Sequence, residues 1–326
     1  RCDPGGIGGY ADTYIYTFPT PHFLKCFLSK INTAKSPEAR ISIFDTAVSL
    51  GYTVTESTRT FAHQPFKLQC HLDRLFKSLK VARIDIGMSL EELADVTMDL
   101  LGRNQQLCQL DEDYWIVHNI SSGIHKIGPD PTVKNSGPTV MIFNAPMDLT
   151  GWARYYSEGC HAVTPMSRQI PSQSMDARIK NRSRFFSMLM EHEVKLVDAD
   201  AQGVILDIHG NVAENKGGNV FVVSEGVLKT PTASNALAGI TRETVLELAQ
   251  QLGIETAETL LQPYDLYTAD EVFFTSTPYC LMPATRFNGL PVGDGQVGSV
   301  TKQILAAWSE MVGMDIAGQA LQQVTS

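Results

Sequence analysis

The stretch Asp176-Ala-Arg-Ile-Lys-Asn181 sets one lysine, Lys180, between a Pro- and Ser-rich approach and a segment with the periodicity of an amphipathic helix. A lysine at such a junction can pack its stem against apolar side chains, which lowers the pKa of an amine. A neutral amine is a nucleophile toward carbonyl carbon. Most lysines on the first turn of a helix are instead solvated, so the rest of the chain has to decide between these interpretations.

Length and charge restrict the class of protein. The chain has 326 residues, of which 43% are apolar, and this predicts two domains with sizeable cores. Its formal net charge is −9, and it has no basic block that would neutralise nucleic-acid phosphates or bind an anionic membrane. We therefore expect small-molecule partners, with no nucleic acid and no membrane.

The cysteines and the apolar runs predict a compartment. The 6 cysteines form no CxxC motif, and neither they nor the 8 histidines have the spacing of metal ligands. No apolar run reaches the roughly 18 residues of a membrane span, and the start of the chain lacks a signal-peptide pattern. We expect free thiols, no bound metal and a cytoplasmic location.

The first half of the chain predicts strands, then helices, then strands. The Gly-rich run at Gly5–Gly9 follows no strand and opens no helix. Beyond it, strands are predicted at Ala39–Phe44, Tyr52–Phe61, Tyr114–Ser121 and Thr139–Phe143, and helices at His71–Leu79 and from the Ser89/Glu92 capping box to Leu101. Arg74 lies off the apolar stripe of the first helix. This order is typical of an α+β domain.

Polar residues alternate along the second of these strands. Thr53, Thr55, Ser57 and Arg59 share one face, because strand side chains alternate with a period of two. Such a face either lines a polar pocket or belongs to a solvent-facing edge strand.

The second half predicts a barrel-like or open α+β domain, beyond a boundary near residues 144–151. Helices are predicted from Asn181 to about Val197, at Ile240–Gly253 with Thr241 as N-cap, and from about Ser299. Strands are predicted at Val204–Asp207, Asn219–Val223 and Glu271–Thr277. Hairpin turns are predicted at Glu225-Gly226 and Asn288-Gly289. The first of these helices carries Phe185, Met188, Leu189 and Val194 on a stripe that we expect to be buried.

Three groups that would hold pyridoxal phosphate have candidates in this chain. Lys180 offers an amine for the aldehyde, and Glu214, in a tight turn, offers a carboxylate that would keep the ring nitrogen protonated. The helix that starts at Ala238-Gly-Ile-Thr241 suits a phosphate, because its N–H groups and dipole favour an anion. Thr277 and Arg74 add a hydroxyl and a positive charge. Glu214 also fits a solvated turn, and Thr241 a plain N-cap.

Taken together, these segments resemble the class IV aminotransferases, the pyridoxal phosphate enzymes of fold type IV. The segments are Lys180, Ala213–Asn219, Leu237–Arg242, Ala269–Phe273 with Thr277, and Gly298–Lys302. His71–Leu75 is similar to the family's helix with a phosphate-binding arginine. The resemblance runs from about Ala39 to Leu305 and is densest in the second half. The family includes branched-chain and D-amino acid aminotransferases, (R)-selective amine transaminases and aminodeoxychorismate lyase.

The resemblance implies a fold and an assembly. The fold is α+β with two domains, as in the D-amino acid aminotransferase-like proteins. It comprises an N-terminal arm and small α/β domain over residues 1–146, and a larger pseudo-barrel domain over residues 147–326 that carries Lys180. Members of the family assemble as homodimers.

The resemblance also implies residue roles. Lys180 would bond to the cofactor and later shuttle the substrate proton, and Glu214 would pair with the pyridine nitrogen. The remaining cofactor-binding residues, several of them around the phosphate, would be Arg74, Asn219, Gly239, Ile240, Thr241 and Thr277.

The sequence departs from the family in the substrate pocket. Phe185 stands where branched-chain enzymes commonly have a tyrosine that bonds the cofactor's ring hydroxyl, and the tyrosine and phenylalanine that line their pocket appear as Leu50 and Thr55. Ser122 and Val117 occupy the positions of two arginines that relatives use for carboxylates. The predicted substrate contacts are Thr55, Arg59 and Pro278, with Arg59 binding a carboxylate bidentately.

The sequence thus predicts an aminotransferase that moves an amino group from an amino acid, branched-chain-like in preference, to a 2-oxo acid. A D-amino acid or (R)-selective amine transaminase is an alternative, and so is a lyase on the same cofactor. The absence of a GxSxG elbow excludes a serine hydrolase of that type.

Overall fold

The structure is a computed structural model that describes residues 12–17, 32–35, 39–105, 112–126 and 133–325. The chain divides into two compact units: the chain up to Met147 together with Ile179–Ser183, and Asp148–Arg178 together with Arg184 onward. The division falls beside the predicted boundary, but it assigns Lys180 to the first unit and not to the second. The Gly5–Gly9 run lies outside the described residues.

In its described residues, the first unit consists of one antiparallel sheet and three helices. Its elements are β1 (Asp12–Thr17), β2 (Asn32–Lys35), α1 (Thr46–Ser49), β3 (Thr53–Phe61), β4 (Gln64–Pro65), α2 (Leu68–Val81), α3 (Leu90–Asn104), β5 (Tyr114–Ser121) and β6 (Thr139–Pro146). The strand order is β2-β1-β6-β5-β3-β4. Every pairing in this sheet is antiparallel.

The core of the first unit lies where α2 and α3 face the sheet. Leu72, Leu75 and Leu79 on α2 are buried with Leu93 and Leu100 on α3. Each fully buried side chain of this size contributes roughly 1.5–3 kcal/mol. The predicted stripe of α2 is therefore confirmed for its leucines. Both helices form because their apolar residues recur at the helical period.

The predicted capping box of α3 is confirmed, but the helix runs past Gly102. Ser89 Oγ accepts a hydrogen bond from Glu92 N at 3.2 Å, and Ser89 N donates to Glu92 Oε2 at 2.7 Å. Asn104 is buried, and its backbone oxygen accepts from the Tyr114 hydroxyl. This hydrogen bond stabilises the last turn of α3, where Gly102 lowers helix stability by about 1 kcal/mol relative to alanine.

The strand predicted at Ala39–Phe44 is wrong. These residues form no strand, and α1 begins immediately after them. Asp45 is the N-cap of α1, and its carboxylate also accepts from Ser121 Oγ and Thr139 Oγ1 at 2.6 Å each. Alternation alone does not make a strand, because a strand also needs a partner to pair with. The capping role of Asp45 takes the chain into a helix instead.

The strand predicted at Tyr52–Phe61 is confirmed as β3. Of its nine residues only Ser57 is not fully buried, so the solvent-facing edge strand that the polar pattern allowed is excluded. β3 pairs with β5 along most of its length, and Arg59 lies opposite Trp115.

The second unit is a larger mixed sheet with seven helices among the described residues. Its elements are α4 (Thr150–Ala153), α5 (Tyr155–Glu158), β7 (Cys160–Val163), α6 (Phe185–Val197), β8 (Gln202–Leu206), β9 (Val212–Asn215), β10 (Asn219–Ser224), β11 (Val227–Pro231), α7 (Ile240–Gln251), β12 (Thr256–Thr259), α8 (Pro263–Tyr267), β13 (Glu271–Ser276), β14 (Cys280–Phe287), β15 (Leu290–Pro291), α9 (Ser299–Val312) and α10 (Ile316–Thr325). The order is β12-β11-β10-β13-β14-β7-β8-β9, and β15 pairs with β14.

The two predicted hairpin turns of this unit are confirmed. Glu225 and Gly226 have φ values of 54° and 78°, and Asn288 and Gly289 have 45° and 85°. Two successive residues with positive φ are typical of the tight turn whose twist matches that of the flanking strands. The turns close β10 onto β11 and β14 onto β15.

Two details of the predicted helices are wrong. α6 begins at Phe185 and not at Asn181, and Phe185 is 76% exposed while Met188 and Leu189 are also exposed; Met190 and Val194 are its buried residues. α7 has Gly239 as its N-cap, so Thr241 lies inside the first turn. The apolar period of α6 is real, but three of the four residues on the predicted stripe are exposed.

Within the described residues, no helix is both long and apolar enough to cross a membrane.

Candidate active site

Lys180 is held by backbone hydrogen bonds to β3. Thr55 N donates to Lys180 O at 2.8 Å, and Arg182 N donates to Thr53 O at 2.8 Å. Lys180 N also donates to Ser78 Oγ on α2 at 3.2 Å. The half-buried lysine therefore lies in a segment that pairs with the edge of β3. It does not stand on the first turn of a helix, which removes the solvated-helix interpretation.

A buried charged group lies on the same strand, and we refer to Glu56, His71 and Arg74 as the Glu56 cluster. Glu56 is fully buried, and its carboxylate accepts from Arg74 Nε at 2.8 Å and from Arg74 Nη2 at 2.7 Å. His71 Nδ1 lies 3.0 Å from the same carboxylate. Burial raises the pKa of Glu56, but the Arg74 charge and these hydrogen bonds outweigh it and hold the pKa well below its usual range.

Lys180 lies within electrostatic reach of this cluster. Burial lowers the pKa of His71, Glu56 opposes that shift, and the positive charges of Arg74 and Lys180 lower the pKa further. Since Glu56 is ionised and can only accept, His71 Nδ1 carries the proton that it donates. The structure thus brings together Lys180 and Arg74, two of the predicted cofactor residues, with a carboxylate and a neutral histidine that the sequence did not single out.

A second histidine, His118, lies opposite Glu56 in the β3/β5 pair. Its Nε2 lies 2.9 Å from Thr97 Oγ1, and that hydroxyl donates to Leu93 O at 2.7 Å. Because the hydroxyl proton is already used, His118 Nε2 must be the donor. Burial lowers the pKa of His118 to about 4, so the ring is neutral at pH 7. Its Nδ1 is buried without a hydrogen-bond partner among the described residues.

Thr55 and Arg59, the predicted substrate contacts on β3, are engaged inside the first unit. Thr55 Oγ1 donates to His118 O at 3.0 Å. Arg59 is 1% exposed, its Nη2 lies 3.5 Å from Asp113 Oδ2, and its guanidinium lies 4.0 Å from the centre of the Phe61 ring. To bind a substrate carboxylate, Arg59 would have to leave Asp113, so this arrangement argues against that predicted role.

Two of the positions that depart from the family, Leu50 and Ser122, line a cavity of the first unit. The cavity has a volume of about 440 Å³ and is lined by Thr46, Leu50, Tyr52, Ser122, Ile124, His125, Asn135 and Ser136. Thr46 Oγ1 and Ser122 Oγ are hydrogen-bonded at 2.9 Å. The described lining contains hydroxyls, an amide and one histidine, but no arginine or lysine.

Glu214 lies on β9 of the second unit, opposite Ile205 of β8. Its Oε1 accepts from Gln169 Nε2 at 2.9 Å, and its Oε2 accepts from Leu237 N at 3.1 Å. Arg184 is close enough for its charge to interact with that of Glu214. Two neutral donors thus fix the direction of a half-buried carboxylate. Sequence reasoning missed Gln169, since a glutamine in a Pro- and Ser-rich stretch carries no signal of its own.

Gly218 and Gly239 each lie against an oxygen atom that leaves no room for a side chain. A Cβ on Gly218 would lie 2.0 Å from Thr275 O, and a Cβ on Gly239 would lie 2.1 Å from Asn219 Oδ1. Asn219 is buried, and its Nδ2 donates to Leu237 O at 2.8 Å. Asn219 therefore anchors the loop that donates to Glu214.

The N-terminus of α7 follows that loop. Ile240 is its first residue, and Thr241 is buried in its first turn. The N-cap is Gly239, so no side chain caps the helix. The first N–H groups of a helix have no partner within the helix, so they and the dipole favour an anion there. Thr277 and Pro278 follow β13 in a turn, which is tied to Gly217 O through Ser276 Oγ at 2.7 Å.

The residues of each unit fit the parts of pyridoxal phosphate that the sequence assigned to them. The first unit offers the Lys180 amine and the Arg74 guanidinium, and the second offers the Glu214 carboxylate and a helix N-terminus with threonine hydroxyls. The N-terminus of α7 has no side-chain cap, which leaves its first N–H groups suited to an anion.

Comparisons with known proteins point to one family. The profile of the family described as Amino-transferase class IV matches residues 53–287. A protein of Methanocaldococcus jannaschii is 34% identical over 269 residues, which cover 82% of this chain and 89% of the relative. The branched-chain-amino-acid aminotransferase of Escherichia coli (strain K12) is 29% identical over 276 residues, covering 83% of this chain and 87% of that protein.

A solved structure shows the same fold. The branched-chain amino acid aminotransferase from Escherichia coli matches with a TM-score of 0.74 at 28% identity, covering 93% of this chain and 94% of that chain. This likeness confirms the fold class predicted from the sequence.

Proposed function

This chain belongs to the class IV aminotransferases, and from that membership we propose that it binds pyridoxal phosphate and uses branched-chain amino acids as donors to a 2-oxo acid. The observation that carries the proposal is Glu214, a carboxylate aimed by Gln169 and Leu237 at distances of 2.9 and 3.1 Å. A carboxylate fixed in this way is what a pyridine nitrogen needs in order to keep its proton. When bound, the cofactor supplies an electron sink that stabilises negative charge at the substrate α-carbon.

Lys180 acts as nucleophile and as base in this proposal. Its Nζ would hold the cofactor at its aldehyde in the resting enzyme and, once free, would take the proton from the substrate α-carbon. The backbone hydrogen bond between Lys180 O and Thr55 N keeps the lysine in one place through both steps.

The phosphate is held by neutral donors and one cation. The N–H groups of Ile240 and Thr241 at the start of α7, together with the hydroxyls of Thr241 and Thr277, donate to the phosphate oxygens. Arg74 adds a charge-assisted donor. Gly239 and Asn219 shape the loop before the helix, so they act on the phosphate through backbone position.

Relatives and the cavity in the first unit support the donor class. The matched protein of Escherichia coli and the matched solved structure are both named branched-chain amino acid aminotransferases. The cavity lined by Leu50 and Ser122 presents an apolar side chain and small hydroxyls, and among its described lining residues there is no cation that would favour an acidic donor side chain.

We further propose that the enzyme is a homodimer in the cytoplasm. The support for a second copy is the apolar surface of α6, where Phe185 is 76% exposed and Leu196 is 87% exposed. Light scattering should give twice the mass of one chain, and cell fractionation should place the protein in the soluble cytoplasmic fraction. A monomer at micromolar concentration would contradict the first statement.

The test is the visible absorbance of the purified protein. We expect a yellow protein whose band is lost on mixing with L-leucine and is unchanged by D-alanine or (R)-1-phenylethylamine. Loss of the band with one of the other two donors would reassign the donor class. A yellow protein that responds to none of the three would reject the transaminase reaction with these donors, and a colourless protein that takes up no cofactor would reject the cofactor.

A further inference from the structure

We propose that Glu56 is a positioning residue that orients Arg74 toward the cofactor phosphate. The inference rests on the proposed function, because it takes Arg74 as a phosphate donor, and it adds a residue to which the sequence assigned no role. Glu56 would not touch the cofactor itself. Its effect would pass through the Arg74 guanidinium.

The geometry of the pair fixes the plane of the guanidinium. An arginine has five N–H donors in a planar fork. Glu56 takes the Nε proton at 2.8 Å and one Nη2 proton at 2.7 Å, so it occupies one edge of that fork. Two parallel bonds leave the group no freedom to rotate about its stem. The edge that carries Nη1 must then point away from Glu56.

Glu56 is itself held from several sides. It is fully buried, it accepts from Ser57 N at 2.9 Å, and His71 Nδ1 lies 3.0 Å away. His71 and Arg74 are on α2 while Glu56 is on β3, so the carboxylate joins the helix to the strand. A buried carboxylate with this many bonds moves little, which makes it a firm reference for the arginine.

The neighbour of Glu56 in β3 positions the catalytic lysine. Thr55 N donates to Lys180 O at 2.8 Å, and Glu56 is the next residue. Two consecutive residues of one strand therefore fix the amine through its backbone and the arginine through its guanidinium. The strand would set the spacing between the aldehyde end and the phosphate end of the cofactor from the first unit alone.

Net charge alone predicts the opposite result for a variant that lacks the Glu56 carboxylate. Glu56 cancels the charge of Arg74, so its removal would free a positive charge and would strengthen phosphate binding if net charge mattered most. In Glu56→Gln, however, the amide nitrogen faces a guanidinium N–H, and one acceptor of the bidentate pair becomes a donor. The guanidinium must then turn, and a misdirected donor loses its bond to the phosphate. We expect the loss of direction to dominate, because charge-assisted bonds depend on geometry.

The experiment compares pyridoxal phosphate with pyridoxal, which lacks the phosphate. Dissociation constants of both are measured by absorbance titration of the cofactor-free protein. Glu56→Gln should weaken pyridoxal phosphate about tenfold, the loss of one charge-assisted bond, and leave pyridoxal unchanged. The matched control is Asp113→Asn, which alters the other buried carboxylate paired with an arginine in the same unit. The ratio that matters is the dissociation constant of pyridoxal divided by that of pyridoxal phosphate, which Glu56→Gln should lower about tenfold. Asp113→Asn should leave this ratio unchanged.

Arg74→Gln separates this inference from the proposed function. If Arg74→Gln lowers the ratio and Glu56→Gln in that background changes it no further, the coupling is supported. If Arg74→Gln lowers the ratio but Glu56→Gln weakens both compounds equally, or strengthens pyridoxal phosphate, the positioning role is overturned and the phosphate site stands. An unchanged ratio in Arg74→Gln would remove Arg74 from the proposed phosphate site.

A second variant covers the case in which Glu56→Gln does not fold. Glu56→Asp keeps the negative charge beside the buried arginine but is one methylene shorter, so it cannot keep both bonds. A severalfold fall in the ratio is expected. An unchanged ratio in a folded Glu56→Asp protein would overturn the positioning role.

Discussion

Glu56 and Glu214 are both carboxylates near predicted cofactor residues, but they are held in different ways. Glu56, in the first unit, is fully buried and forms two hydrogen bonds to the cation Arg74. Glu214, in the second unit, is half-buried and is held by an amide side chain and a backbone N–H. The first unit pairs charge with charge inside its core. In the second, the two hydrogen bonds that fix the carboxylate come from neutral groups, with the charge of Arg184 nearby.

Because of this difference, we expect mutations in the two units to have different costs, folding stability in the first and catalytic rate in the second. Removing one partner of a buried ion pair leaves an uncompensated charge, so the first unit should lose folding stability. Altering a carboxylate held by neutral donors near the surface of its unit should cost little stability and much chemistry. The following predictions test that division, in order of decreasing effect.

Lys180→Ala should give the largest effect, because Lys180 is the proposed nucleophile and base of the reaction. We expect turnover to fall at least about a thousandfold, as for the loss of an essential nucleophile. The melting temperature of the cofactor-free protein should stay within a few degrees of the original. Steady-state turnover and circular dichroism measure the two quantities. Full turnover in the variant would remove Lys180 from the mechanism.

Arg59→Met should cost stability and not substrate binding. It leaves the buried Asp113 without its arginine, and we expect a loss of about 3 kcal/mol in the free energy of unfolding, measured by urea titration. Arg103→Met is the control, since Arg103 pairs with Asp99 on the helix surface and should cost no more than about 0.5 kcal/mol. A folded Arg59→Met protein with a raised KM for the 2-oxo acid would restore the substrate role that the sequence predicted.

Acid should destabilise the first unit through His118. The pKa of His118 in the folded protein is about 4, below the roughly 6.5 of an unfolded histidine, so the unfolded chain binds its proton more readily. The stability from the neutral ring is complete above about pH 6.5 and is lost as the pH falls toward 4, by up to about 3 kcal/mol. As the pH falls below about 4.5, the value of an ordinary glutamate, Glu56 adds a further loss because its pKa is also lowered in the folded protein.

The unfolding midpoint between pH 7 and pH 4 measures this loss. His118→Gln should flatten the profile, whereas His209→Gln, at an exposed turn, should leave the slope as it is. Equal slopes in the original protein and His118→Gln would assign the acid sensitivity to another group.

Glu214→Gln should slow the reaction about ten- to a hundredfold, through loss of one charge-assisted bond to the ring nitrogen. The free energy of unfolding should change by less than about 0.5 kcal/mol, as for most surface changes. A change in stability as large as that of Arg59→Met would break the division between the two units. An unchanged rate would mean that another acid holds the ring proton.

Gln169→Leu should give the smallest effect. It removes one neutral donor to Glu214 Oε1, and we expect turnover to fall about fivefold, since such a bond contributes about 1 kcal/mol. The exposed Gln173→Leu, in the same stretch, is the control and should not change turnover. A loss as large as that of Glu214→Gln would show that Gln169 fixes the carboxylate on its own.

The sequence predicted the elements whose signals are local. The leucine stripe of α2, the capping box of α3 and the two hairpin turns each depend on residues a few positions apart, and all were confirmed. The motifs around Lys180 and Glu214 were sufficient to identify the family, because several occur together and in order.

Long-range partners explain what the sequence missed. Arg74 lies off the apolar stripe of α2, yet it is buried because it pairs with the carboxylate of Glu56 on β3. Gln169 gains its role only when the chain brings it beside Glu214. The apolar residues of α6 have the period of a buried stripe, but periodicity does not say which surface, if any, within the same chain will cover them.

Ile179–Ser183 also has a consequence for the order of events during synthesis. β4 covers β3 only at Thr60 and Phe61, and the half around Thr53 and Thr55 is paired by residues made more than a hundred positions later. At usual rates of translation the ribosome needs on the order of ten seconds to reach them. During that time the nascent first unit exposes part of a strand edge, which is a site for wrong pairing or for a chaperone. The segment that ends this exposure is also the one that delivers Lys180.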